Sequence, residues 1–349
     1  MTSWHLRAVR LPDGSAPDDS WISAQGWGSE PIAGSESLPG RFALPGLVDS
    51  HSHVSFAAGP DGPLPVDRAT AEATLERYAH EGVGMVRDAG GMPSVVLRLP
   101  SVAGRPFVMA AGRHLAPAGM YFAAVHDPVE PEDLVSVALA EIAAGARWVK
   151  LVADFSRLGA AAVRPEPTYG LDVVRGLVAA AHGAGARVAA HVTTTLVADL
   201  VPLGIDSVEH GPGLDRDTVE EMARRGTAWT PTLCAVLSAS PPDEERLRRV
   251  AERRERLHEL LPLAIRLGVP VLTGSDVVGS IPREIALLIE LGVDPTAALC
   301  AATTTATMYY GADAVRAPAS VITFDSDPRN HPEVLAHPAA IVIGGARLR

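Results

Sequence analysis

Between residues 43 and 276 the chain alternates eight near-continuous apolar runs with segments of helical periodicity. The runs are 43–49, "GVGMVRDA" (82–89), "RPFVMAAG" (105–112), "RWVKLVAD" (147–154), "RVAAHV" (187–192), "DSVEHG" (206–211), "AWTPTL" (228–233) and "PVLTGSD" (270–276). Runs of this kind suit strands covered on both faces, as in parallel sheets. Between most of them lie helix-like segments at 67–81, 131–145, 171–185, 215–226 and the charged 243–267. "PEDLVSVALAEIAAGA" is typical: apolar residues recur at helical spacing, acids open the first turn, and a glycine stands near the end. The 90–104 connection fits the pattern least. Eight strand–helix units predict an α/β chain folded as a (β/α)8 TIM barrel, a fold of ~250 residues. A doubly wound sheet would call for a glycine-rich phosphate fingerprint after the first strand, and the sequence has none there. Residues 1–42 and 316–349 differ from the middle. They are rich in Gly, Pro and Ser and hold short β-like pieces such as "SVITFDS" and "AAIVIGGARLR". The expected division is therefore 43–315 for the barrel, with 1–42 and 316–349 pairing into a small β-sandwich formed by the N- and C-terminal segments.

With 47% apolar residues among 349, the chain can fill a core of that size. No apolar run approaches the ~18 residues of a membrane span, and "MTSWHLRAVRLPDGS" lacks the layout of a signal peptide. Cys234 and Cys300 are the only cysteines and lie far apart, which speaks against a disulfide framework and for a reducing cytoplasm. A net charge of −11 without a long basic block argues against nucleic acid or an anionic membrane as partner. The expected partner is a small-molecule substrate, and homo-oligomerisation is left open.

Barrel enzymes carry their chemistry at the carboxyl ends of the strands. The first strand ends in "LVDSHSH". Side chains at i and i+2 of a strand share a face, so His51 and His53 point the same way. Lys150 stands in "WVKLV", His191 in "VAAHV", His210 in "SVEHG" and Asp276 in "LTGSD". Each alone has a structural explanation: a hydrogen-bonded core histidine, a helix cap, a lysine reaching solvent. Six such residues at the ends of five of the eight strands are a different matter.

On these residues, in this order, the sequence resembles the amidohydrolase superfamily. "GVGMVRDAGG", "LGIDSVEHGPGLDRDTVEEMARRGTAWTPTL" and "AIRLGVPVLTGSDV" resemble its prolidase-like and imidazolonepropionase-related members most closely. The resemblance implies two divalent metal ions, zinc first among them. His51, His53 and Asp276 would hold one, His191 and His210 the other, with a carboxylated Lys150 as bridge. It further implies hydrolysis of an amide-like C–N bond, in a dipeptide or N-acyl amino acid, by a metal-bridging hydroxide. Asp276 would serve as general base and then acid. A lactonase or a carbamate or ester hydrolase would use the same machinery. A metal-free structural protein of this fold would have lost ligands that this chain retains.

Substrate-binding candidates follow strands 3 and 4. "AAGRHLAPAGMYFA" (110–123) offers Arg113 as a carboxylate clamp or as the partner of a loop acid in a salt bridge, with His114 and Tyr121 beside it. Tyr169 would either polarise a carbonyl or cap a helix. Arg87 and Asp88 would pair with each other or brace the site from behind. Two stretches depart from the family: "AGMY" stands where prolidase-like relatives tend to have Gly-Gly-His, and "AHVTT" replaces "AHAHG".

Overall fold

Gly46 divides the first predicted strand in two. A Cβ there would fall 2.5 Å from Ser320 Cβ and 3.2 Å from Gly84 Cα, so only glycine fits. Before it, Phe42–Pro45 lies antiparallel to Val321–Phe324 and parallel to Trp4–Arg10. After it, Leu47–Ser52 runs parallel to Val83–Asp88. The structure, a computed structural model, describes all residues except 1, 24, 60–61, 159–163, 239–242, 316 and 318.

The parallel strands follow one another in sequence order. Leu47–Ser52, Val83–Asp88 and Phe107–Ala110 form a three-stranded sheet. His114–Leu115, Trp148–Val152, Arg187–Val192, Ser207–His210 and Ala228–Thr230 form a five-stranded one. The amide of Arg147 donates to the Ala110 carbonyl at 3.0 Å, linking the two. On the far side, the 270–276 segment is too irregular for a full strand and makes two parallel bridges, Trp229↔Val271 and Ser52↔Asp276. Gly274 explains part of this irregularity, since a Cβ there would meet His51 Cβ at 2.6 Å. Even so, the Leu272 amide donates to Trp229 O and the Ser50 amide to Thr273 O, both at 2.8 Å, so the segment touches Ala228–Thr230 and Leu47–Ser52.

Helices Arg68–His80, Leu134–Ala143, Leu171–Gly183, Arg216–Arg225 and Glu244–Arg266 fall where the periodicity places them. Asp67, Asp215 and Asp243 each start one by accepting a backbone N–H three residues on, a contact worth ~1 kcal/mol. Their inward faces, such as Val174, Leu177, Val178 and Ala181, are buried against the strands. Within 90–104 only Pro93–Val96 is helical.

Both termini contribute to one eight-stranded sheet. Its order is Ala346–Arg347, Ala340–Ile343, Val321–Phe324, Phe42–Pro45, Trp4–Arg10, Pro17–Ser23 and Gly26–Gly28, with Glu36–Ser37 beside Trp4–Arg10. Trp4, Leu6, Ile22, Leu38, Val321 and Val342 give it a small core of its own. Among the described residues, no helix is long and apolar enough to cross a membrane.

Candidate metal centre

His51, His53, Lys150, His191, His210 and Asp276 all line one cavity of 310 Å³. Its floor is set by strand ends whose backbone is held in unusual shapes. His210 and Asp276 adopt φ of 67° and 56°, a left-handed conformation that costs a residue bearing a Cβ about 1 kcal/mol or more. Backbone and neighbours enforce it: the Asp276 amide donates to His51 O at 2.7 Å. Buried Asp49 accepts from the Ser275 hydroxyl at 2.5 Å and from the Ser275 and His51 amides.

Three imidazoles are oriented from behind. His51 Nδ1 donates to Glu209 Oε2 at 2.5 Å, and His53 Nδ1 to the Gly90 carbonyl at 2.7 Å. His210 Nδ1 lies 2.6 Å from Thr232 Oγ1, whose own proton goes to Pro231 O, so the imidazole is the donor there too. In each ring the bare Nε2 lone pair is thus left for the site, the tautomer a ligand needs. Two such lone pairs, His51 Nε2 and His53 Nε2, face each other at 3.3 Å, an arrangement that calls for a cation between them. Burial first, then the neighbouring Lys150 and histidines, hold His51 and His210 well below the ordinary imidazole range. The same causes bring His191 to about 3. Neutral histidines are what a metal binds.

Asp276 Oδ1 lies 3.6 Å from His53 Nε2, and its Oδ2 is 4.0 Å from His210 Nδ1. Ligand atoms of His51, His210 and Asp276 all lie within 4.8 Å of one another. Lys150 is 1% exposed, and its Nζ has no hydrogen-bond partner. Burial lowers its pKa to about 8, with Arg87 adding to the effect and Glu209 opposing it. A buried ammonium without partners is unstable, whereas an anionic, metal-bonded form would suit the place. The donor set therefore fits divalent metal ions.

Sequence reasoning missed Glu209. It sits one residue before His210, fully buried, and takes two bonds of 2.6 Å from Arg87 Nη2 and one of 2.5 Å from Ser207. Burial alone would raise its pKa, but Arg87 and Lys150 outweigh that and lower it. Arg87 Nε donates to Ser50 O at 2.6 Å, and its guanidinium lies 4.6 Å from the Trp148 ring. Arg87 and Asp88 do not pair with each other. Asp88 accepts from the Val54 amide at 2.9 Å and the Gly90 amide at 3.2 Å, holding the segment that carries His53. A charged residue inside a buried strand was the available signal for Glu209. A second signal was also present: among 30 Lys and Arg residues, Lys150 is the only lysine.

The substrate-binding candidates divide. Tyr121 lines the cavity, and His114 lies behind it, 0% exposed and stacked on the Tyr121 ring at 4.5 Å. Two residues are not brought to the cavity. Arg113 Nε donates to Glu141 Oε1 at 2.7 Å, with Asp127 3.8 Å from its Nη1, so its fork is already occupied. Tyr169 buries its hydroxyl on the Val129 carbonyl at 2.6 Å. In this structure Arg113 thus forms a salt bridge, and Tyr169 is hydrogen-bonded to backbone, away from the cavity. Arg113→Met is expected to leave KM unchanged and to lower unfolding stability by about 1 kcal/mol, measured by steady-state kinetics and urea titration. In the stretch that departs from the family, Asp154 accepts the amides and hydroxyls of Thr193 and Thr194, fixing the loop after His191.

The model of the amidohydrolase family matches residues 42–347. An uncharacterized protein of Mycobacterium tuberculosis (strain ATCC 25618 / H37Rv) is 35% identical, over 98% of this chain and 94% of its own. Among solved structures, an amidohydrolase superposes with a TM-score of 0.80 at 22% identity, covering 99% of both chains. A Xaa-Pro dipeptidase with bound methionine does so with a TM-score of 0.80 at 20% identity, covering 100% of both. These likenesses imply a TIM-barrel-like α/β fold. With the family match and the buried histidine–carboxylate cluster, they lead to one conclusion: this chain belongs to the amidohydrolase family of hydrolases.

Proposed function

We propose that the protein is a metal-dependent hydrolase that opens an amide-like carbon–nitrogen bond at this cavity. The observation that carries the reading is the convergence of six strand-end groups, with bare imidazole Nε2 atoms and an unpartnered Lys150 Nζ among them. The frame would be a (β/α)8 barrel in which the 270–276 segment joins Leu47–Ser52 and Ala228–Thr230, beside the sheet to which both termini contribute and in which Phe42–Pro45 is paired. His51, His53 and Asp276 would hold one ion, His191 and His210 a second, and a carboxylated Lys150 would connect them. When bound, a zinc pair would acidify a water toward a pKa of roughly 7 and polarise the scissile carbonyl. The protein's own part is proton handling and orientation. Asp276, with its side chain 18% exposed at the cavity, takes the proton of the attacking water on a carboxylate oxygen and passes it to the leaving nitrogen. Glu209, Gly90 and Thr232 keep the three imidazoles fixed while this happens. Tyr121, Phe56 and Phe122 close one side of the cavity and limit water.

Elemental analysis of protein purified without chelator tests the reading. About two ions per chain are expected. About one, with Lys150 unmodified, would favour a single-metal site instead.

A further inference from the structure

Above its metal-binding floor the cavity is walled by Phe56, Pro63, Tyr121, Phe122, Val277 and Val278. Among the described lining residues there is no arginine, and Lys150 belongs to the floor. The sequence makes this a property of whole segments. Residues 42–67, 114–146, 188–215 and 267–282 supply the lining around the strand ends, and none of these stretches contains an arginine or lysine. Arg113 is taken by Glu141. Arg157, the next cation after the Trp148–Val152 strand, pairs with Glu166 at 3.0 Å on an exposed hairpin. The same four stretches carry many acids, and the chain as a whole has a net charge of −11.

Above the floor, a carboxylate on the part of the substrate that meets the cavity wall would lose its water without finding a counter-charge there. An aromatic or branched apolar group meets ring faces and methyl groups instead. We infer, resting on the hydrolase reading above, that the substrate is an uncharged amide with an apolar or aromatic substituent, bearing no carboxylate on the part that fills the cavity. Free amino-acid termini of dipeptides and N-acyl amino acids are thereby excluded. Phe122 and Val278 contribute to that choice from the cavity wall. Val278 is 61% exposed, so a larger residue there reaches solvent without disturbing the core.

The test uses two anilides, 4-nitroacetanilide and 4-acetamidobenzoate. They share the scissile amide and the overall shape but differ in charge. Turnover and calorimetric dissociation constants are measured on zinc-loaded and on chelator-stripped protein, the latter to remove direct carboxylate–metal bonding. The neutral anilide is expected to bind at least ~10-fold more tightly in the stripped protein. Val278→Arg is expected to shrink that ratio to within ~3-fold by tightening the carboxylate compound alone. Equal or tighter binding of the carboxylate compound to the stripped wild-type protein would overturn the inference, and so would failure of both to bind. Charge discrimination without turnover of either compound would keep the cavity's preference for uncharged groups and overturn the hydrolase reading on which the substrate assignment rests.

Discussion

Replacing Lys150 by alanine is expected to lower kcat/KM by more than about 100-fold and to reduce metal content in the same preparation. Lys150 is buried, lines the same cavity as His51, His191 and His210, and has an Nζ without a hydrogen-bond partner, so a change of charge is what would make it useful there. The local environment favours that change. With its pKa brought down to about 8 by burial, far more of the amine is neutral near pH 7.5 than in an ordinary lysine. Carbon dioxide adds to the neutral amine, so burial itself prepares the side chain for carboxylation. Because the chain has no other lysine, labelled bicarbonate should give one side-chain carbamate resonance, absent in Lys150→Ala. A short carboxylic acid should restore part of the alanine variant's activity by occupying the vacated bridge. Full activity of that variant in ordinary buffer would show Lys150 to be structural.

Glu209→Gln should have the second largest effect, and on two quantities at once. Removing the charge leaves Arg87 buried and unpaired, which costs about 3–5 kcal/mol. It also weakens the hold on His51 Nδ1, expected to lower metal affinity by about 10–100-fold. The effects separate in a double variant. Glu209→Gln with Arg87→Met removes the stranded cation and should recover most of the denaturation midpoint, while metal affinity measured by competition with a chelating dye stays low. If the double variant regains metal affinity as well, Glu209 acts on the centre only through overall stability.

The metal-binding residues were readable because the rule that exposes them is local. Strand ends follow from apolar runs, and polar residues at those ends stand out against them, so His51, His53, Lys150, His191, His210 and Asp276 could be chosen one strand at a time. Glu209 was not, because it lies in the strand beside a more conspicuous histidine. Its meaning comes from Arg87, 122 residues away, and His51, 158 residues away. Arg113 was left between two readings for the converse reason. The sequence displays a guanidinium near the site, but only the fold brings Glu141 from the Leu134–Ala143 helix to occupy it. The regular helices were legible from the helical spacing of their apolar residues. The break at Gly46 and the irregular 270–276 segment were not, since both result from close approach of distant backbones, at Ser320 and Gly84 in one case and at His51 in the other.

The sheet shared by the two ends also sets an order of events during synthesis. Phe42–Pro45 leaves the ribosome early, yet its antiparallel neighbour Val321–Phe324 lies some 276 residues later. At ordinary elongation rates of ~5–20 residues per second, that strand waits roughly 15–55 s for its partner. Through this interval the strands of the N-terminal segment present an open edge, while the parallel strands behind them assemble in order. Ribosome-bound chains halted before residue 321 should therefore depend on holding chaperones to stay dispersed, and emergence of the strands from Val321 to Arg347 should end that dependence abruptly.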